Sequence, residues 1–479
     1  MKNIAPFKQF MREQKEAFVE YDKKILIIGY GSVGQAILPL ILRHVTTNPK
    51  NITVIEKDDN KKRFDERNKG NGVKYARVNV VESNLSSTLV KYLEPDGFVI
   101  DCSLNINVDA IMKWCWEHDV LYLNTSLERW LDQQDETIPN LAKRTLYDEH
   151  NVVRKFASDY PNASTAVVTH GANPGLVSHL TKRAVLELAR RKKKATKAPS
   201  DQEGWAQLLK SLGVKVIHIA ERDTQIIDEP KEKNEFVNTW SCEGFWAEGR
   251  APAEMGWGTH EDVRPEGGKT IGHVAYLEQP GLSVLMKSWV PLGGSYNGFC
   301  VQHSESITMS EYFTTKDGKY RPSVYYVYQP CDAALASVHE TRGRELDLQS
   351  KTRIIKDEIV SGIDELGVLL LGDDFGMWHG SQLSVEEARA LIPGESATSL
   401  QVVASMLGAI IWAIENPNMG YIEPDQIPFD FILKYADPYL GPTPFVMTDW
   451  SPGKDMNSLF YREYDESNKC SFANFRVWS

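Results

Sequence analysis

The chain has no paired cysteines, no long apolar run and no surplus of basic charge, and each absence removes a class of protein. Its six cysteines, at 102, 115, 242, 300, 331 and 470, are widely scattered and form no C-x-x-C pair. Neither a zinc site, nor any other metal centre, nor a disulfide framework is implied, and reduced thiols in a cytoplasm are expected. Lys and Arg number 54 against 65 Asp and Glu, a net charge of −11, which excludes nucleic acid as a partner because that needs a basic footprint. An acidic balance suits a cationic ligand, but it is also the ordinary state of a soluble protein. The longest apolar stretch, Thr398 to Ile414, is interrupted by Ser399, Gln401, Ser405 and Gly408. It reads as a buried helix with small residues for close packing, not as a membrane span. Met1 to Lys24 alternates charged and apolar residues, which is not a secretory signal. No internal repeat or low-complexity tract is present.

What is there describes an enzyme-sized globular chain. At 479 residues it is too long for one ordinary core, so two or three lobes are expected. Hydrophobic content of 42% and charged content of 25% are those of a soluble protein. From Lys24 onward, strand and helix signals alternate. Strands are predicted at Ile25–Ile28, Ile52–Ile55, Val73–Val80, Phe98–Ile100, Leu121–Leu123 and Thr165–Val168. Helices are predicted near Ala36–Leu42, with Pro39 in its first turns, and over Val108–Glu117 and Leu176–Arg191. That alternation implies a doubly wound parallel sheet. The basic run Arg190 to Lys194 reads as a solvated helix end. Past Asp201, short β-like runs such as Val214–Ala220, Phe299–Val301 and Tyr325–Tyr328 suggest a mixed, mostly antiparallel second lobe. The fold class is therefore α/β, a Rossmann sheet plus a mixed α+β substrate domain. Its expected boundaries are 1–175, 176–395 and 396–479, the last a C-terminal helix and tail packing back on the body.

The first strand runs into Gly29-Tyr30-Gly31-Ser32-Val33-Gly34 and then a helix. In that context the glycines carry chemistry: Gly29 allows the tight turn, Gly31 the approach of a pyrophosphate, and Gly34 close helix–strand packing. Free amides at the helix start, around Ser32 and Val33, favour the phosphate charge. Glu56 ends the next strand, where a carboxylate bonds ribose hydroxyls and repels a 2′-phosphate. NAD is favoured over NADP, although Lys57, Lys61 and Lys62 lie close by.

A second concentration lies between His218 and His260. It holds Glu221-Arg222-Asp223, Trp240, Glu243, Trp246, Glu248, Trp257 and His260. Carboxylates interleaved with tryptophans suit an alkylammonium, because a Trp face attracts a cation and a carboxylate fixes it. Each residue alone has a plain structural reading, as core Trp, surface ion pair or loop histidine. Their density after a nucleotide domain points to an NAD-dependent enzyme acting on an amine.

From about Ile25 to Asp449 the chain resembles the bacterial homospermidine synthases, a family related in its nucleotide domain to saccharopine-type dehydrogenases. The resemblance is carried by GYGSVGQ (29–35), HGANPG (170–175), HIAERDTQ (218–225), VNTWSCEGF (237–245), GWGTH (256–260), HSESI (303–307), GIDELGVLL (362–370) and WAIENPN (412–418). It implies a redox-neutral aminobutyl transfer with NAD. Putrescine, or spermidine, is oxidised to an imine, ammonia or a diamine leaves, a second putrescine adds, and the Schiff base is reduced to homospermidine.

The resemblance also implies roles. Asn173 touches the nicotinamide end of NAD, Glu221 binds an amine near the reacting carbon, and Trp240 stabilises cationic species with its π face. Glu248, with Asn105 and Glu128, holds amino groups. Position 105 is Asn where the family pattern has a carboxylate, so a charge-based role does not carry over there. His303 transfers protons, and Asp364 either orients it or binds the distal ammonium. Their plain readings are a core histidine and a helix cap. Glu243 competes with Glu248, and spacing does not choose between them. A homodimer is implied by the family alone.

Two rival readings differ in what they require. A saccharopine- or carboxyspermidine-type dehydrogenase needs an arginine clamp for a substrate carboxylate. A non-catalytic NAD-binding protein needs neither an amine cavity nor a proton-transfer group.

Overall fold

A computed structural model describes residues 18–133, 140–194, 197–453 and 464–477; residues 1–17, where a secretory signal was sought, lie outside them. Four-residue apolar runs that are buried throughout, such as Ile25–Ile28 and Leu121–Asn124, can only be central strands covered on both faces. They assemble into a seven-stranded parallel sheet. Its order is Tyr421–Ile422, Ala166–Val167, Leu121–Asn124, Phe98–Asp101, Ile25–Ile28, Ile52–Glu56 and Lys74–Arg77. The strand predicted over Val73–Val80 is shorter than expected, at Lys74–Arg77.

The helix after the first strand spans Ser32–His44, so it begins at the glycine turn itself and Pro39 falls well inside it. The helix expected near Ala36–Leu42 therefore starts earlier, at Ser32. The helix tolerates Pro39 because a missing N–H forfeits one bond, while the amides of the first turn must point out of the sheet edge.

The second lobe is built on a ten-stranded mixed sheet. Its path runs Gly268–Ile271, Val274–Pro280, Pro252–Gly256, Ser323–Gln329, Val216–Asp223, Ile363–Gly372, Phe375–Ser384 and Phe445–Thr448. The hairpin Leu285–Val290/Gly294–Phe299 attaches beside Ser323–Gln329. Every pairing in it is antiparallel except Val216–Asp223 with Ser323–Gln329.

The C-terminal third is shared between the lobes. Tyr421–Ile422 extends the parallel sheet and Phe445–Thr448 the mixed sheet. Between them, the helix Ala397–Glu415 packs on the Ser32–His44 helix as well as on strands of both sheets. Of its most apolar 18-residue window, 89% is buried within the protein, so it is an internal core helix. Gly408 lets it close on a neighbouring helix: a Cβ there would stand 3.1 Å from the Ile432 carbonyl oxygen.

Candidate active site

The carboxyl edge of the parallel sheet forms a cradle. Gly29 has φ +91°, and a Cβ on it would sit 2.7 Å from the Cys102 carbonyl oxygen. One on Gly34 would strike the Gly29 carbonyl oxygen at 2.0 Å, so both positions demand glycine. A Cβ on Gly31 would meet nothing within 4 Å, which leaves an open lane above the turn. The helix starts at Gly31 with no side-chain cap, so the first-turn amides of Ser32, Val33 and Gly34 are presented to an anion. Glu56 is buried. Its Oε2 accepts from the Tyr30 amide at 2.5 Å and its Oε1 from the Asp58 amide at 3.1 Å. Those bonds shape the turn and leave lone pairs for a ribose diol. The residues present fit a dinucleotide.

From the same edge, Asn124 receives the Thr169 amide on Oδ1 at 2.7 Å and thereby directs the loop carrying Asn173 across to the mixed sheet. Asn173 Nδ2 donates to Glu221 Oε2 at 3.2 Å, and the Tyr326 hydroxyl donates to that same oxygen at 2.6 Å. Glu221 is one of the points where the two lobes meet.

The register of the mixed sheet explains what surrounds it. Along Val216–Asp223, odd-numbered residues share one face. Asp364 lies directly opposite Asp223, and Tyr328 opposite Glu221. Three carboxylates therefore project from one face, and all are buried. Asp223 accepts from Gln225 Nε2 at 3.1 Å and from the Thr239 hydroxyl at 2.9 Å. Asp364 Oδ2 accepts from the Thr398 hydroxyl at 2.5 Å, while its Oδ1 has no partner among the described residues. Burial, and then the neighbouring Asp223, pushes Glu221 up to about 8 despite its two donors. Burial likewise lifts Asp223 to about 6 and holds Asp364 well above the usual carboxylate range. Among the described residues none of the three has an ion-pair partner.

His303 precedes the helix Ser304–Tyr312, and its ring stands over Tyr326 with centroids 4.3 Å apart. Its Nε2 lies 3.0 Å from Glu248 Oε2 and its Nδ1 3.3 Å from Glu305 Oε1. Burial opposes a charge on this ring, but Glu248 and Glu305 hold the imidazolium well above the ordinary range. Both nitrogens face carboxylates, an arrangement that favours the protonated ring. Among the described residues Glu248 and Glu305, and not Asp364, contact the ring and orient it.

Trp240 precedes the helix Cys242–Arg250, whose start is capped by Ser241 Oγ accepting the Gly244 amide at 3.0 Å. The indole is fixed by Phe245, at 5.6 Å between centroids, and by Nε1 donating to the Tyr328 hydroxyl at 3.2 Å. Glu243 and Glu248 are five residues apart and diverge by about 140° around the helix. Glu248 reaches His303, whereas Glu243 is exposed and accepts from the Thr352 hydroxyl at 2.8 Å. The structure separates Glu243 from the site.

Asn105 and Glu128 meet one another at the parallel sheet's carboxyl edge. The Asn105 amide donates to Glu128 Oε2 at 3.0 Å and the Ser126 hydroxyl to Oε1 at 3.0 Å. Burial raises Glu128 to about 7. Asn105 has φ +66°, a left-handed conformation that Asn tolerates, and its backbone is what holds Glu128.

The remaining aromatic and histidine residues of the 218–260 segment are structural. His218 is buried beside Tyr325 and Phe475, Trp246 lies under Arg250, and Trp257 packs on Phe472. Asp223, Tyr326, Tyr328, Glu305 and Thr398 were missed as site residues. The alternation Tyr326, Tyr328 and the acid within the HSESI block were the available signals.

Comparison with known proteins identifies the relatives of the chain. Residues 25–168 match the family described as saccharopine dehydrogenase NADP binding domain, and residues 171–442 the saccharopine dehydrogenase C-terminal domain. The chain is 39% identical to a homospermidine synthase of Mesorhizobium japonicum over 97% of this chain and 98% of that one. It is 40% identical to one of Blastochloris viridis over 95% and 98%. The crystal structure of the homospermidine synthase of Legionella pneumophila in complex with NAD superposes with a TM-score of 0.89 at 38% identity, covering 96% of this chain and 98% of that one.

Proposed function

Because the chain belongs to the homospermidine synthase family, and so is an NAD-dependent aminobutyltransferase acting on polyamines such as putrescine, we propose that Glu221 is its general base and that the buried acids around it select diamines. The observation that carries the reading is the set Glu221, Asp223 and Asp364: three buried carboxylates on one sheet face, with no ion-pair partner among the described residues. Such a face is costly to ionise alone and is satisfied by cationic amines. The nearest arginine along the strand, Arg222, points to the opposite face, against Gly293. No clamp for a substrate carboxylate is offered there, and a saccharopine-type substrate is disfavoured.

Bound NAD would take a hydride from the amine-bearing carbon of the donor and return it to the coupled imine, leaving no net redox change. Hydride leaves only from a carbon whose nitrogen is neutral, so ionised Glu221 first accepts a proton from that ammonium on Oε1 or Oε2. Tyr326 and Asn173 aim the carboxylate, and Asn173 couples it to the cofactor cradle. Trp240 offers its π face to cationic amine and iminium forms. Asp364 Oδ1 takes the distal ammonium while Thr398 holds the other oxygen. Glu248, locked with Glu305 onto the His303 imidazolium, bounds the other end of the site. Burial of the whole group keeps water from the imine. A homodimer and a cytoplasmic location belong to this reading, to be checked by light scattering and by fractionation.

Incubation of the purified protein with putrescine and NAD tests the proposal. Homospermidine and ammonia without net NADH are expected. Net NADH would indicate a dehydrogenase, and no product a non-catalytic protein.

A further inference from the structure

The mechanism leaves one buried charged cluster unused. Lys356, in the second lobe, is only 3% exposed, and its Nζ lies 3.4 Å from the Ser32 carbonyl oxygen at the start of the glycine-turn helix. Its counter-ion is Glu395, fully buried, whose Oε2 accepts from Lys356 at 2.9 Å. The other oxygen of Glu395 pairs with Arg67 at 2.5 Å. Arg67 also donates to Gln35 Oε1 at 3.2 Å, and Gln35 Nε2 to the Tyr30 carbonyl at 2.8 Å. The network thus reaches the glycine turn at two carbonyls, those of Tyr30 and Ser32, with residues that are far apart in sequence.

The charges in it do not balance. Two cations share one carboxylate, and they stand at a helix N-terminus, which is itself the positive end of the helix dipole. The nearby acid of the cradle, Glu56, has both oxygens engaged by backbone amides. Burial, with Arg67 and Arg63 adding to it, lowers Lys356 below the usual ammonium range even with Glu395 in contact. The cluster thus holds one more positive charge than negative, and an anion at the glycine turn would offset it.

We propose that Lys356 is a cofactor-retention residue: from the second lobe it supplies the cation that pairs with the dinucleotide pyrophosphate at the glycine turn, latched in place by Glu395 and Arg67. The proposal rests on the NAD-dependent reading above, and it answers a demand of that reading. Reduced cofactor must stay bound while ammonia leaves and a second amine adds. A lysine reaching over from the lobe that carries the amine site ties the two lobes together through the cofactor.

The test is NADH and ADP-ribose binding by the full-length protein, with release rates read from NADH fluorescence and no polyamine present. Lys356→Met is expected to weaken both ligands by about tenfold to a hundredfold, the loss for one hydrogen bond to a charged group, chiefly through faster release. Lys356→Arg should keep most of the affinity. Adenosine, which has no pyrophosphate, should bind both variants as it binds wild type. The NAD-induced rise in Tm should be smaller for Lys356→Met than for wild type, each measured against its own ligand-free protein. Unchanged NADH affinity and release in Lys356→Met would overturn the proposal, as would an equal loss of adenosine. Should Lys356→Met not fold, a Lys356→Arg protein losing as much ADP-ribose affinity as Lys356→Gln would overturn it equally. Failure of the synthase reading would show separately, as absence of homospermidine from wild type with these binding results unaltered.

Discussion

The Tyr326 hydroxyl donates to Glu221 Oε2 across 2.6 Å, joining the two strands that, among the described residues, form the only parallel pair in the mixed sheet. This donor favours the ionised carboxylate, while burial and Asp223 disfavour it. Removing the donor leaves only the Asn173 amide and the charge of His303 to favour ionisation. Tyr326→Phe should therefore move the pH at which kcat/KM rises upward by about one to two units, the equivalent of one hydrogen bond to a charge. A pH–rate profile of both proteins checks this, and an unmoved limb would remove Glu221 as the base.

Glu221→Gln keeps the shape and the Tyr326 contact but cannot accept a proton. Turnover should fall by about two to four orders of magnitude, the range for loss of a general base. NAD affinity, measured by fluorescence titration, should change little.

Trp240 is fixed by Tyr328 and Phe245, so its indole is pre-set for a cation. Trp240→Ala should reduce kcat/KM by about tenfold or more, and Trp240→Phe should retain part of it. Steady-state kinetics with putrescine decides; two variants both as active as wild type would remove the cation–π role.

Glu56 serves the turn and the ribose together. Glu56→Ala frees the Tyr30 and Asp58 amides, and NAD binding should weaken by about tenfold while the product remains homospermidine. Calorimetric titration and product chromatography check the two halves.

The acid cluster sets a pH dependence of stability. Folding raises Glu221 to about 8 and Asp223 to about 6. Their stabilising contribution is complete below their unfolded values near 4 and is lost as pH climbs through the folded ones. The ligand-free protein should melt progressively lower from about pH 5 to pH 9, and putrescine should reduce that decline. Scanning calorimetry across this window, with and without putrescine, is the measurement; a flat ligand-free profile would contradict the cluster's burial cost.

Period and punctuation in the chain were enough for the parallel sheet, because runs such as Ile25–Ile28 have one physical use, and a glycine turn between strand and helix has one common ligand. The density of acids and tryptophans between His218 and His260 marked the segment that carries Glu221, Trp240 and Glu248. What they did not resolve was the direction of each side chain. Glu243 and Glu248 differ only by their angle around one helix, and the fold sends one to solvent and the other to His303. The surroundings of His303 were hidden for the same reason, since Glu305 and Glu248 meet it only after a helix start and a distant helix are packed together. Asp223, Asp364 and Tyr328 became one site through strand register, a property of pairing and not of any strand alone. Lys356 reached the glycine turn from more than three hundred positions away. Local chemistry is written along the chain, but contact between charges depends on which surfaces the hydrophobic cores bring face to face.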